Sequence, residues 1–176
     1  TLFADALKRR YAYPNINVSN QAHAGWCCGD GVNQILLAGD KNVMKPETDL
    51  VIVAFGMNDA GNGVNKNGTD WIGIYKTNLS LIIAGLRKIN PKVEIILVSP
   101  MLGNPEWSHT ILPFFTAVRQ HPGFSSTQQA IRDLAETQEG VAVADVTAVW
   151  VEVLRRKGWQ YQDLLDSKPL TGWYDL

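Results

Sequence analysis

The chain has 176 residues, 45% of them hydrophobic, which by the usual size relation suffices for one domain with a substantial core. With 16 Lys plus Arg against 17 Asp plus Glu, the formal net charge is -1, and that balance argues against a nucleic-acid partner or an anionic membrane surface. No apolar stretch approaches the length that spans a bilayer.

Residues 2–11 predict the last turns of a helix, with Leu2, Phe3, Ala6, Leu7 and Tyr11 on one face and Lys8, Arg9 and Arg10 late in it. This charged, amphipathic opening does not read as a signal peptide. Pro14 ends the pattern, and Ile16, Asn17, Val18 and Ser19 then alternate like a short strand. A glycine-punctuated loop over 20–31 holds the two cysteines, Cys27 and Cys28. A disulfide between neighbours strains the peptide joining them. No Cys-x-x-Cys or histidine cluster supports a metal site. Both are therefore read as small, partly buried thiols in a loop. A helical run over 32–37 follows.

The apolar run 50–55, bounded by Asp49 and Gly56, predicts a strand covered on both faces. It delivers Asn58 and Asp59 into a loop at its carboxyl end, where ligands sit in an open parallel sheet. After a polar loop to residue 69, Thr69 or Asp70 caps a helix in which Trp71, Ile74, Tyr75, Leu79, Ile82 and Leu86 recur at helical spacing. Asn90 and Pro91 stop it, and 93–99 is the next strand. Residues 50–99 thus read as one βαβ unit with a right-handed crossover. A loop rich in Pro, Phe and Gly spans 100–125. A helix over 128–138, a strand over 141–146 and a helix over 148–156 follow, and the tail from 158 is weakly periodic. Alternating strands and helices predict an α/β fold: three-layer α/β/α, with a mostly parallel, doubly wound, flavodoxin-like sheet in a single domain over 1–176. Because the pattern opens inside a helix, its first strand is expected to be missing.

Two loops carry the candidate chemistry. Gly25 offers a backbone N–H with no side chain in the way, and Asn58 a neutral NH2 donor at a strand tip. Converging on one point, they would form a two-donor oxyanion hole. His23 reads more simply as a hydrogen-bonded loop residue than as a base. Ser108 and His109 are adjacent, so they point apart, and His121 sits in a turn before Pro122. Trp26 and Trp107 flank the expected cleft and suit stacking on a sugar or acyl group. Trp71 and Trp150 suit helix faces in the core. A cation held by carbonyls in the loop Asn62 to Asn67 is weaker than a plain solvated loop.

The segment Val18-Ser19-Asn20-Gln21-Ala22-His23-Ala24-Gly25-Trp26 resembles the second conserved block of the SGNH or GDSL esterases and lipases. Phe55-Gly56-Met57-Asn58-Asp59 resembles their Gly-x-Asn-Asp third block, and the strands at 95–101 and 141–146 fall in family order. The resemblance covers nearly the whole chain. It implies an SGNH-hydrolase fold and an ester hydrolase acting on a small acyl ester or acylated carbohydrate, with no metal or organic cofactor. Gly25 and Asn58 would be the oxyanion donors, and Asp59 would brace the Asn58 loop. The family's Gly-Asp-Ser nucleophile motif has no counterpart, and no histidine follows position 121. Where an Asp-x-x-His block would fall, Asp166 stands without its histidine. The expectation is a domain truncated at both ends that carries the oxyanion half of the site. The alternative is a non-catalytic ligand- or carbohydrate-binding domain derived from an esterase. A nucleotide-binding flavodoxin-like domain is a third reading. It is disfavoured by the carboxylate of Asp59 where a phosphate-binding loop would offer N–H groups.

Overall fold

The structure, a computed structural model, describes residues 2–37, 44–59, 71–100 and 123–158. Along these the elements run α1 (Leu2–Tyr11), α2 (Cys28–Leu37), β1 (Leu50–Val53), α3 (Trp71–Ile89), β2 (Glu94–Val98), α4 (Gly123–Thr137), β3 (Val141–Ala144) and α5 (Val146–Lys157). The strands lie in the order β1-β2-β3, and both pairings are parallel. Parallel neighbours require a crossover, which α3 and α4 supply. The fold is α/β with a parallel sheet, as the alternating pattern predicts.

Register explains where the core sits. Val51 pairs with Ile95 and Val53 with Leu97, while Ile95 pairs with Val141 and Leu97 with Val143. These six residues line one face of the sheet, because side chains alternate along a strand. Tyr75, Leu79, Ile82, Ile83 and Leu86 of α3 and Ala130 and Ile131 of α4 join that face in one buried cluster. Full burial of each large aliphatic chain contributes about 1.5–3 kcal/mol. Asn90 finishes α3 by polar bonds: its N–H reaches the Leu86 carbonyl at 3.0 Å, its Oδ1 accepts the Lys92 N–H at 2.9 Å, and its amide donates to the Thr48 carbonyl.

Several expectations are corrected. β1 is not covered on both faces: Leu50 and Ile52, opposite the core-facing row, are 37% and 43% exposed. It also ends at Val53, two residues early. Residues 16–19 form no strand, and Val18 is half exposed, since so short and half-polar an alternation gains little without a paired neighbour. Ile74 lies on the exposed flank of α3, outside its buried stripe.

Three helices start earlier than their periodicity predicts, two of them where a side chain caps the first turn. α2 begins at Cys28 rather than at 32, because the Asp30 carboxylate reaches back to the Cys27 N–H at 2.8 Å, one arm of a capping box. α4 begins at Gly123, five residues early. Val146 opens α5 instead of closing β3, because Asp145 caps that helix through the Ala148 N–H at 3.0 Å. The residues Thr69, Asp70, Asn62 to Asn67, Trp107, Ser108, His109, His121 and Asp166 lie outside the described residues, as does the Trp150 side chain.

Candidate active site

At the carboxyl end of β1 the chain turns at Gly56, whose φ of +124° is a conformation that L side chains rarely adopt. A Cβ there would also stand 3.0 Å from the Tyr75 hydroxyl and 3.3 Å from Pro100 Cγ. Tyr75 fixes the turn from α3: its buried hydroxyl donates to the Phe55 carbonyl at 3.1 Å. Residues 57–59 then take a helical turn. Asn58 therefore sits on a helical turn rather than in the open loop that its sequence suggests.

Two hydrogen bonds tie the turn to the start of α2 and the residues before it, and a third closes the turn on itself. The half-buried Asn58 amide donates to the Trp26 carbonyl at 3.0 Å. Asp59, 8% exposed, accepts the Cys28 N–H on Oδ1 at 2.9 Å and the Gly56 N–H on Oδ2 at 3.1 Å. The two sequence blocks are thus in contact, with the Asn58 amide bonded to the residue that follows Gly25. An amide carries two N–H donors, so one remains for a ligand once Trp26 has taken the other.

Gly25 has a φ of +81°, and a Cβ added to it would meet no atom within 4 Å. Backbone conformation, rather than crowding by this chain, is what calls for glycine there. His23 lies face to face on Trp26, with ring centroids 4.0 Å apart and planes 14° from parallel. The sequence suggested a hydrogen-bonded loop histidine; the structure gives a stacked one, and the half-buried Trp26 carries an aromatic partner beside the site.

Burial governs the titratable groups. It pushes the Cys28 thiol far above its ordinary range, and the Asp59 carboxylate, Cys27 and a hydrogen bond with Asp59 add to the shift. Cys28 is fully buried in the first turn of α2, not in a loop, whereas Cys27 is half-buried, and the two form no disulfide. Since thiolate is the reactive form, native protein is expected to take one equivalent of iodoacetamide, at Cys27, with Cys28 reacting only after denaturation. Mass spectrometry of the labelled peptides checks this. Equal native labelling of both cysteines would contradict the buried position.

Burial likewise raises Asp59, against the lowering effect of the Cys28 and Gly56 N–H groups. A raised folded pKa means that the stability Asp59 contributes is complete below the ordinary carboxylate value near about 4, and is lost as pH climbs through the raised one. Asp145 runs the other way. Burial raises it, yet the Ala148 N–H, Arg132 and Ser99 outweigh burial and hold it below its ordinary value. Its contribution is present above the ordinary value and lost as pH falls through the lowered one. The expected result is a Tm advantage of wild type over Asp59→Asn that shrinks as pH rises above about 4, while both proteins lose stability below that. Thermal unfolding across pH measures it; a difference independent of pH would contradict it.

A second polar group stands at the carboxyl ends of β2 and β3. Buried Ser99 donates to Asp145 Oδ1 at 3.2 Å, and Arg132 pairs with the other oxygen. These bonds account for Ser99 as a structural hydroxyl joined to the α5 cap. Among the described residues, no group of three or more His, Cys, Asp or Glu is arranged to hold a metal ion. No described helix is long and apolar enough to cross a membrane.

Sequence reasoning places Tyr75 in the helix stripe but misses the hold of its hydroxyl on the Phe55 carbonyl, as it misses the reach of Asp59 to Cys28. A tyrosine on an otherwise apolar helix stripe was the available signal, because a buried hydroxyl needs a partner. What the described bonds leave for a ligand is the second N–H of the Asn58 amide, near the carboxyl end of β1. No curated protein matches the chain. Residues 1–168 match the GDSL-like Lipase/Acylhydrolase family. The match takes in both blocks that meet at Asn58 and Trp26, and the chain belongs to that family of lipases and acylhydrolases.

Proposed function

We propose that this chain is the oxyanion-binding part of a serine ester hydrolase of SGNH type, with the Gly25 N–H and the Asn58 amide as the two donors. The observation that carries the reading is the 3.0 Å bond from the Asn58 amide to the Trp26 carbonyl, one residue beyond Gly25. In the reaction, a serine attacks the ester carbonyl and a histidine accepts its proton and returns it to the leaving alcohol. Negative charge gathers on the former carbonyl oxygen, and prearranged N–H donors lower its energy without reorganising. Trp26, with one aromatic partner already stacked on it, favours a small acyl ester carried on a carbohydrate ring, since aromatic faces suit such rings.

A second reading is a ligand- or carbohydrate-binding domain that keeps the pocket without the chemistry. The observation it draws on is the stacked pair of His23 and Trp26 beside the Asn58 amide. The test is p-nitrophenyl acetate hydrolysis beside NMR titration with methylphosphonate, a stable anion resembling the tetrahedral intermediate. The half-site reading expects no turnover above buffer, together with methylphosphonate-dependent shifts of the Gly25 and Asn58 N–H signals. Turnover abolished by Asn58→Ala would show that the chain supplies its own nucleophile. Absence of shifts at both groups would overturn the oxyanion reading.

A further inference from the structure

A closed circuit of bonds surrounds Asp59. From Trp26 the chain runs two residues to Cys28, whose N–H donates to Asp59 Oδ1 at 2.9 Å. Asp59 adjoins Asn58, whose amide returns to the Trp26 carbonyl at 3.0 Å. The other carboxylate oxygen takes the Gly56 N–H at 3.1 Å, at the base of the same turn. One buried side chain therefore links the segment bearing Gly25 to the turn bearing Asn58.

We infer that Asp59 is a positioning residue of the oxyanion hole: by gripping the Cys28 and Gly56 N–H groups with its two oxygens, it sets the distance and angle between the Gly25 and Asn58 donors. This rests on the oxyanion reading above and adds the part that makes the hole rigid. Such rigidity matters because donors held in place need not reorganise as charge develops.

Chemistry explains why an acid stands here. A carboxylate accepts on both oxygens, and both are used by main-chain donors on different segments. An asparagine offers one acceptor oxygen, and its NH2 group would face whichever N–H the oxygen does not take, leaving a buried donor orphaned. Alanine leaves both without a partner. The N–H of Gly56 also lies beside the Phe55 carbonyl that Tyr75 holds, so slack at Asp59 passes to a turn whose other anchor is fixed. The result is a tilt of the Asn58 amide, rather than a rigid shift of the whole loop.

The test uses the intact chain labelled with 15N and 13C. In wild type, hydrogen-bond scalar couplings are expected between the Asp59 carboxyl carbon and the Cys28 and Gly56 amide nitrogens. In Asp59→Asn without any ligand, the Asn58 side-chain and Gly25 amide signals are expected to move. Methylphosphonate should bind at least tenfold more weakly to that variant. Asp145→Asn is the control, since it disturbs the α5 cap and should leave both signals and the affinity unchanged. Absent couplings in wild type, or Gly25 and Asn58 signals unmoved in Asp59→Asn, would overturn the role. The couplings need no variant, so they decide the question even if Asp59→Asn does not fold. The unliganded spectra report positioning whether or not the probe binds. Wild type failing to bind methylphosphonate while the couplings and shifts appear would instead count against the oxyanion reading alone.

Discussion

Gly56→Ala is expected to destabilise the fold strongly for a change of one methyl group. Two independent penalties meet there. Forcing an alanine to a φ of +124° costs about 1–3 kcal/mol in backbone strain. Its Cβ, built 3.0 Å from the Tyr75 hydroxyl and 3.3 Å from Pro100 Cγ, adds about 1–3 kcal/mol of overpacking unless the turn moves. Movement is not a cheap escape. The Gly56 N–H is held by Asp59 and the neighbouring Phe55 carbonyl by Tyr75, so relief of the clash breaks a buried bond. Chemical denaturation should report a loss toward the sum of the two terms with little change in m, as expected when stability alone changes. A loss below about 0.5 kcal/mol, the range of ordinary surface substitutions, would mean that the turn is looser than the structure has it.

Asn58→Ala is expected to act on the site more than on the fold. A hydrogen bond to a charged group contributes about 1.5–3 kcal/mol, so methylphosphonate binding should weaken roughly ten- to hundredfold. In an esterase the loss of one such donor removes about 2.7–4 kcal/mol of transition-state stabilisation. The cost to stability should be smaller, about 1 kcal/mol for one half-buried bond to a main-chain carbonyl. The bond to Trp26 makes one further consequence specific. With the amide gone, the Trp26 carbonyl loses its partner, and the His23–Trp26 stack should loosen, visible as a change in near-ultraviolet circular dichroism. Unchanged anion affinity alongside a large fall in Tm would assign Asn58 a structural role only.

Much of the scaffold was legible from pattern. The apolar periodicity over 71–86 predicts α3 because one helix face is packed and the other wet, and Tyr75, Leu79, Ile82 and Leu86 are indeed buried. The strand at 50–53 and its parallel partner at 94–98 follow from short apolar runs on either side of that helix. Legibility failed where a distant side chain decides a local outcome. Nothing near residue 28 announces that its N–H is met by a carboxylate 31 positions away. A strand at 16–19 was expected from alternation alone, but alternation marks a face without supplying a neighbour to pair with. The six-residue apolar run at 50–55 reads as buried on both sides, whereas α2, α3 and α4 pack with Val51 and Val53 in one cluster and leave Leu50 and Ile52 exposed. At the site, Gly25 and Asn58 stand out in the sequence because glycine and asparagine have narrow physical uses in such loops, and the structure brings Asn58 against Trp26, the neighbour of Gly25. The carboxylate of Asp59 is only half legible, since the family resemblance implies a brace for one loop and the reach to the Cys28 N–H lies 31 positions away.

The claim on which the rest depends is that the main-chain amide of Gly25 and the carboxamide of Asn58 serve one anion. A crystal structure of the chain with methylphosphonate tests it most directly. The expected result is a single phosphonate oxygen within about 2.7–3.1 Å of both nitrogens. Donors more than about 8 Å apart, beyond any shared hydrogen bond, or an anion touching neither, would contradict it.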